Sequence, residues 1–181
     1  MKIHTTKFDE VFIVEPKIYG DHRGYFMESY HAEKWAELGI PDSFVQDNQS
    51  RSAKAGTIRG LHYQLAPKAQ AKLVRVLSGE IVDVVVDIRR QSPTYGKYIQ
   101  VVLNEENQHQ LYVPEGFAHG FCTLRDNTVV LYKVTEYYSP EHDRGILWND
   151  PDLGIKWPVD TPILSEKDTK HPRLLQADIN F

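Results

Sequence analysis

A single cysteine, Cys122, stands in 181 residues. No intramolecular disulfide can form, and one thiol in an apolar run fits a reducing compartment. No apolar stretch is long enough to cross a bilayer as a helix, and the opening MKIHTTKFDE has no signal-peptide core. A cytoplasmic location is the expectation. An excess of one charge is also missing: 21 basic residues stand against 25 acidic ones, for a formal charge of -4. No general affinity for nucleic acid or membrane follows from that balance, so an anionic ligand would need a local cluster of arginine and lysine. Internal repeats and low-complexity tracts are absent. The length suits one domain with its own core, residues 1–181.

What is present is alternation. Thr57 to Leu65, Gln70 to Leu77 and Glu80 to Ile88 are apolar-alternating runs cut by turns at Pro67 and Gly79, and they read as consecutive antiparallel strands. Side chains on a strand alternate between faces, so Ile58, His62 and Gln64 share one side of the first run. Lys72, Val74 and Val76 share one side of the second. A histidine in step with an isoleucine, one strand from a lysine in step with two valines, places a base and a cation toward one apolar cavity.

The flanking segments continue the pattern. Val11 to Val14 is a short strand, and Ile18 to Gly24 is a loop carrying a Gly-Asp-His-Arg-Gly cluster. Tyr25 to Tyr30 alternates, with Phe26, Glu28 and Tyr30 on one face, and a carboxylate between two aromatics needs a reason. His31 to Leu38 is one short helix stopped by Gly39. The polar FVQDNQSRSAKAG from Phe44 reads as a short strand at most and then a mobile loop. Ile99 to Leu103, Gln110 to Val113, Gly116 to Leu124 and Thr128 to Tyr137 follow as short strands, the last placing Tyr132 in step with Val130 and Val134. Many short strands at this spacing mean a sandwich or barrel. Beyond Tyr138 the chain is irregular, and it is expected to wrap the barrel without forming a second core.

The stretch YVPEGFAHGFC sets His119 just inside a strand after a tight turn. Together with Gly60, His62 and Gly79 it resembles the two half-motifs of the cupin superfamily. That resemblance implies a mainly β fold: a cupin-type double-stranded jelly roll with a short N-terminal helix and an irregular C-terminal segment. Metal-binding cupins carry a second histidine where this chain has Gln64. Only His62 and His119 remain as candidate ligands, and two neutral imidazoles without an anionic partner hold a divalent ion poorly. Neither a metal nor another cofactor is expected.

The strings EPKIYGDHRGYFMESY, FVQDNQS, IRGLHYQ, KLVRVLSGEIVDVVVDIR, SPTYGK, VPEGFAHGF, YKVTEYYSP, WNDPDLGI and LSEKD, in this order across nearly the whole chain, resemble the dTDP-4-dehydrorhamnose 3,5-epimerase family. The resemblance implies a metal-free homodimer whose N-terminal arm, about residues 1–50, reaches the partner's site. It further implies inversion of C3 and C5 of dTDP-4-dehydro-6-deoxy-D-glucose, in dTDP-rhamnose biosynthesis. His62 would be the base, Asp168 its orienter, Lys72 the enolate stabiliser and Tyr132 the acid on the opposite face. His119 would hydrogen-bond the sugar, and Arg23, Arg59 and Lys167 would meet the diphosphate. Strand parity turns Arg59 away from His62, so either Gly60 permits a bulge or Arg59 reaches around the strand edge. Phe26 and Glu28 match a thymine-contacting pair from the exchanged arm. Gln46, Asp47 and Asn48 match a ligand-lining segment, with Gln46 and Asn48 on one face. Asp143 stands where the family usually has a glutamate. The rival readings are a sister enzyme that inverts one carbon or isomerises the keto group, and a sugar-nucleotide-binding cupin without turnover.

Overall fold

The structure, a computed structural model, describes residues 1–40 and 43–181. Its elements are β1 (Lys2–Thr5), β2 (Phe12–Glu15), β3 (Ile18–Asp21), β4 (Gly24–Met27), α1 (Ala32–Glu37), β5 (Gln46–Ser52), β6 (Ile58–Gln64), β7 (Lys72–Ser78), β8 (Glu80–Asp87), β9 (Tyr98–Asn104), β10 (Gln110–Val113), β11 (Phe117–Thr123), β12 (Thr128–Val134) and β13 (Asp143–Gly145). One sheet runs β1-β2-β10-β7-β12-β5 and a second β13-β6-β11-β8-β9, while β3 and β4 pair as a separate hairpin. Both large sheets are antiparallel, giving a sandwich as the strand spacing predicts and, more narrowly, the double-sheet jelly roll that the cupin resemblance implies. Among the described residues no helix is long and apolar enough to cross a membrane.

Alternation along β8 sets the layers. Ile81 and Val85 point between the sheets, against Val74, Val76, Leu111, Val113, Phe117, Phe121 and Val130. Val84 and Val86 point the other way, where Ile146, Leu153, Leu174, Ala177 and Ile179 of the C-terminal segment cover them. That segment wraps the sandwich as expected, and its buried residues form one cluster with Leu61, Tyr63, Val84 and Val86 of the sheet beneath. Its apolar residues show no regular period because the sheet face beneath them decides where each one lands. Each fully buried Ile or Leu there contributes roughly 1.5–3 kcal/mol. On the outer face of the six-stranded sheet, Trp35 of α1 and Ile40 bury against Val14, Leu73 and Tyr112.

Three local readings change. The polar stretch read as a short strand at most and then a mobile loop is a seven-residue strand, β5, paired along its length with β12. It lacks apolar alternation because Gln46 and Asn48 line a cleft and not the core. The Gly-Asp-His-Arg-Gly loop is the turn of the β3–β4 hairpin, tightened by the Arg23 N–H donating to Asp21 Oδ1 at 2.8 Å. The strand ends at Met27, which leaves Glu28 beyond it.

The pairing of β6 with β11 is the irregular one. His62 faces His119 and Arg59 faces Phe121, so three steps on β6 match two on β11. Gly60 absorbs the extra residue at φ = +125°, where a Cβ would lie 2.6 Å from the Cα of Gly120 and 2.8 Å from the carbonyl oxygen of His119. The bulge brings Arg59 to the side of His62 and turns Ile58 to the opposite side, paired with Cys122. Ile58 therefore does not share a face with His62, as simple alternation would have it. Because both obstructing atoms are backbone, Gly60→Ala is expected to lower stability by about 2–4 kcal/mol in denaturant unfolding. A variant as stable as the parent would show that the glycine pair does not hold this register.

Candidate active site

Between the two sheets lies a cleft of about 310 Å³ that adjoins a second space of about 210 Å³. His62, Lys72, Tyr132 and Lys167 line both. Register explains the convergence. Tyr132 faces Val74 on β7 and Asn48 on β5, and Val134 faces Lys72 and Gln46, so the inward parity that carries valines through the core carries polar residues at its end.

His62 reaches the cleft from the opposing sheet, its side chain 34% exposed. Its Nε2 lies 2.6 Å from Asp168 Oδ1. Asp168 is buried, and burial alone would raise its carboxyl. The neighbouring His171 and His62, with Ser165, outweigh that and hold it well below the usual carboxylate range. An ionised carboxylate only accepts, so the His62 Nε2–H donates and the lone pair stays on Nδ1. Burial pulls His62 below its ordinary value, the Asp168 contact opposes this, and Lys72 and His171 add to it. His62 is thus neutral at physiological pH.

Lys72 is buried and donates from Nζ to the His62 carbonyl at 3.2 Å. Desolvation pushes its ammonium down to about 8, with Asp83 and Asp143 acting in the other direction. Tyr132 has its phenol raised by burial, against the pull of Arg59. His119 Nε2 lies 2.9 Å from the buried Asp83 carboxylate. Arg59 lines the inner space with Nε donating to Ser52 Oγ at 3.1 Å, which settles its parity in favour of the bulge. Lys167 pairs with Asp143, and the Tyr138 hydroxyl donates to the same carboxylate oxygen at 3.2 Å.

Gln64, at the place of a second cupin histidine, has another task. Its Nε2 donates to the carbonyls of Lys68 and Tyr137 at 2.6 and 3.2 Å, and its Oε1 accepts from the Ser139 N–H at 2.8 Å. An imidazole could not make all three bonds. A carboxylate does accompany His62, however: His62, Asp168 and His171 have donor atoms within 4.8 Å of one another. The expectation of histidines without an anionic partner is corrected accordingly, because Asp168 and His171 arrive from a segment more than a hundred residues away.

Asp47 is not brought to this cleft, and Arg23, Phe26 and Glu28, which the resemblance assigns to a partner's site, also lie away from it. Asp47 has the opposite parity to Gln46 and Asn48, and its carboxylate accepts from Lys133 Nζ at 2.9 and 3.1 Å. Arg23 pairs with Asp21, Glu28 with Lys34, and Phe26 is 70% exposed on the hairpin. Conversely, Asp83 and His171 were not anticipated. Asp83 was detectable by the reasoning applied to Lys72, since it sits in step with Ile81 and Val85. His171 gave no signal, because the packing of the C-terminal segment alone brings it to Asp168.

Comparison with known proteins agrees with this geometry. A model of the dTDP-4-dehydrorhamnose 3,5-epimerase family matches residues 5–176. The dTDP-4-dehydrorhamnose 3,5-epimerase of Shigella flexneri is 51% identical over 98% of each chain. The crystal structure of a dTDP-6-deoxy-D-glucose-3,5-epimerase from Legionella pneumophila Philadelphia 1, in complex with dTDP-4-keto-L-rhamnose, superposes with a TM-score of 0.93 at 50% identity, covering 98% of this chain and 94% of its own. A dTDP-4-dehydrorhamnose 3-epimerase of Streptomyces niveus is 37% identical over 98% of this chain and 86% of its own. With family, fold and cleft in agreement over nearly its whole length, the chain belongs to the dTDP-4-dehydrorhamnose 3,5-epimerase family.

Proposed function

We propose that this enzyme inverts C3 and C5 of dTDP-4-dehydro-6-deoxy-D-glucose to give dTDP-4-dehydro-L-rhamnose, on the route to dTDP-rhamnose, with its own side chains as the only catalytic groups. The observation that carries this reading is the 2.6 Å contact between His62 and an ionised Asp168, in a cleft whose other sheet presents Lys72 and Tyr132. Protons on carbons flanking a ketone become removable when a base is positioned and the enolate oxygen meets a positive charge. His62 Nδ1 takes the proton, and Asp168 stabilises the imidazolium that results. Lys72 supplies at the C4 oxygen the charge that a metal supplies in other enolising enzymes. Inversion then needs a proton from the far face, and Tyr132 stands on the opposing sheet. Its raised pKa keeps the phenol protonated and ready to donate. Arg59 and Lys167 suit the diphosphate.

The functional unit in this reading is a homodimer in the cytoplasm. The β3–β4 hairpin leaves Ile18, Tyr19, Tyr25 and Phe26 between 42% and 70% exposed, an apolar surface suited to another copy's cleft. Arg23, Phe26 and Glu28 would there meet the thymidine diphosphate of the partner's substrate. An inactive His62→Ala chain mixed with an Arg23→Ala, Glu28→Ala chain should then form heterodimers with one working site. Failure to regain activity, in a mixture shown to exchange subunits, would place the arm elsewhere.

The pH dependence has a sign fixed by the two roles. The base works deprotonated, so kcat/KM falls on the acid side below the ordinary histidine value of about 6.5. The cation works protonated, so it falls again on the alkaline side near the value of about 8 to which burial brings Lys72. Lys72→Arg should carry the alkaline limb upward by more than about one pH unit, because guanidinium stays charged. A limb unmoved in an active Lys72→Arg enzyme would assign it to another group.

Tyr132→Phe separates the two halves of the reaction. C–H cleavage survives, so in deuterated water the variant should wash deuterium into recovered substrate, while inverted product falls by about 10²–10⁴-fold. His62→Asn should show neither exchange nor product. In the parent enzyme, two incorporated deuterons support inversion at both carbons and one supports a single-centre epimerase. Inversion by Tyr132→Phe at the parental rate would reduce Tyr132 to a wall of the cleft.

A further inference from the structure

The His62–Asp168 contact has a third member, His171, which helps to hold Asp168 ionised but to which the proposed reaction assigns no proton. His171 Nε2 lies 3.5 Å from the Asp168 oxygen that His62 contacts at 2.6 Å, and the two imidazole rings meet edge to face with centroids 5.6 Å apart. The His171 side chain is only 10% exposed, and its Nε2 is buried with no hydrogen-bond partner. With its proton on Nδ1, that nitrogen would present a lone pair beside the Asp168 carboxylate, an arrangement that an ion would complete. Space for the ring exists because residue 145 is glycine: a Cβ there would lie 2.4 Å from His171 Nε2.

We propose that His62, Asp168 and His171 form a site for one divalent transition ion, zinc by its donor set, and that its occupation switches the epimerase off. Two imidazoles and a carboxylate with an open fourth position are a set that zinc takes, whereas magnesium or calcium would find too few oxygens. Bonds of about 2.0–2.1 Å at tetrahedral angles put ligand atoms roughly 3.3 Å apart. The Asp168–His171 spacing of 3.5 Å is already there, and the 2.6 Å His62–Asp168 contact must open by less than about 1 Å to admit the ion. His62 reaches the cleft, which provides the entry path. A neutral imidazole has one N–H. With the ion on Nε2, the proton that Nε2 carried moves to Nδ1, and the lone pair that would take the substrate proton is lost. The binding half of this proposal stands on geometry alone; the inhibition half rests on His62 being the base.

The test uses the untagged full chain, stripped with a chelator and desalted, which should keep full activity. Cobalt titrated into it should give the visible absorption of a four-coordinate ion, saturating at one per chain and abolished by zinc. X-ray absorption on the zinc complex of the unmodified enzyme should find two imidazole nitrogens at about 2.0 Å. Zinc should stop both inversion and solvent-deuterium exchange. His171→Asn should weaken cobalt and zinc binding at least about 10-fold, and raise the half-inhibiting zinc concentration by the same factor. No saturable binding, a single imidazole in the absorption spectrum, or unchanged affinity in a folded His171→Asn chain would overturn the site and leave the epimerase reading intact. Exchange that continues undiminished with the ion bound as described would overturn the switch, and with it His62 as the base.

Discussion

A carboxylate enclosed by protein keeps its charge only where its partners are held in place, and Asp168 depends on that condition. The carboxylate comes from the irregular C-terminal segment, not from either sheet. That segment is anchored by Leu153, Leu174 and Ile179 on the outer face of the five-stranded sheet, and by Asp150, which accepts from the Leu174 N–H at 2.6 Å. Packing on one side of the sheet thus sets the tautomer of His62 on the other. Without the anchored carboxylate, His62 would choose its tautomer freely and Nδ1 would carry a lone pair only part of the time.

The same economy appears between the sheets. One parity of β7 and β12 supplies the valines of the core and then, without a change of register, Lys72 and Tyr132 at the cleft. Lys72 sits where valines would, and that burial brings its ammonium down to about 8. At β6 the rule is broken once, at Gly60, and the break turns Arg59 into the cleft beside His62. Two glycines in van der Waals contact across the strands make that possible, because any side chain at either would meet backbone.

Legibility followed the physics of each element. The central strands, the short helix around Trp35 and the inward placement of Lys72 and Tyr132 were readable, since burial on one or both faces imposes a period on the sequence, whereas the step with Ile58 that placed His62 is undone by the bulge at Gly60. The strand β5 was not, because its inward residues face a polar cleft and its outward ones lie at a sheet edge, so no apolar period marks it. The β3–β4 hairpin is exposed throughout β3 and carries no burial pattern to read. Asp47 was misplaced among its neighbours because a family string names a segment, while parity decides which of its side chains faces a ligand.

The amino-acid sequence by itself determined the class of fold, the turn positions and the family, because alternation, glycine punctuation and the order of short strings are all local properties of the chain. It also determined which residue types were available for proton transfer at the cleft. Tertiary structure alone decided which of them meet. Asp168 and His171 come to His62 from more than a hundred residues away, and Asp83 comes to His119 from a strand 36 positions earlier. Such contacts depend on how three layers stack, and stacking is a property of whole faces that no period along one segment encodes.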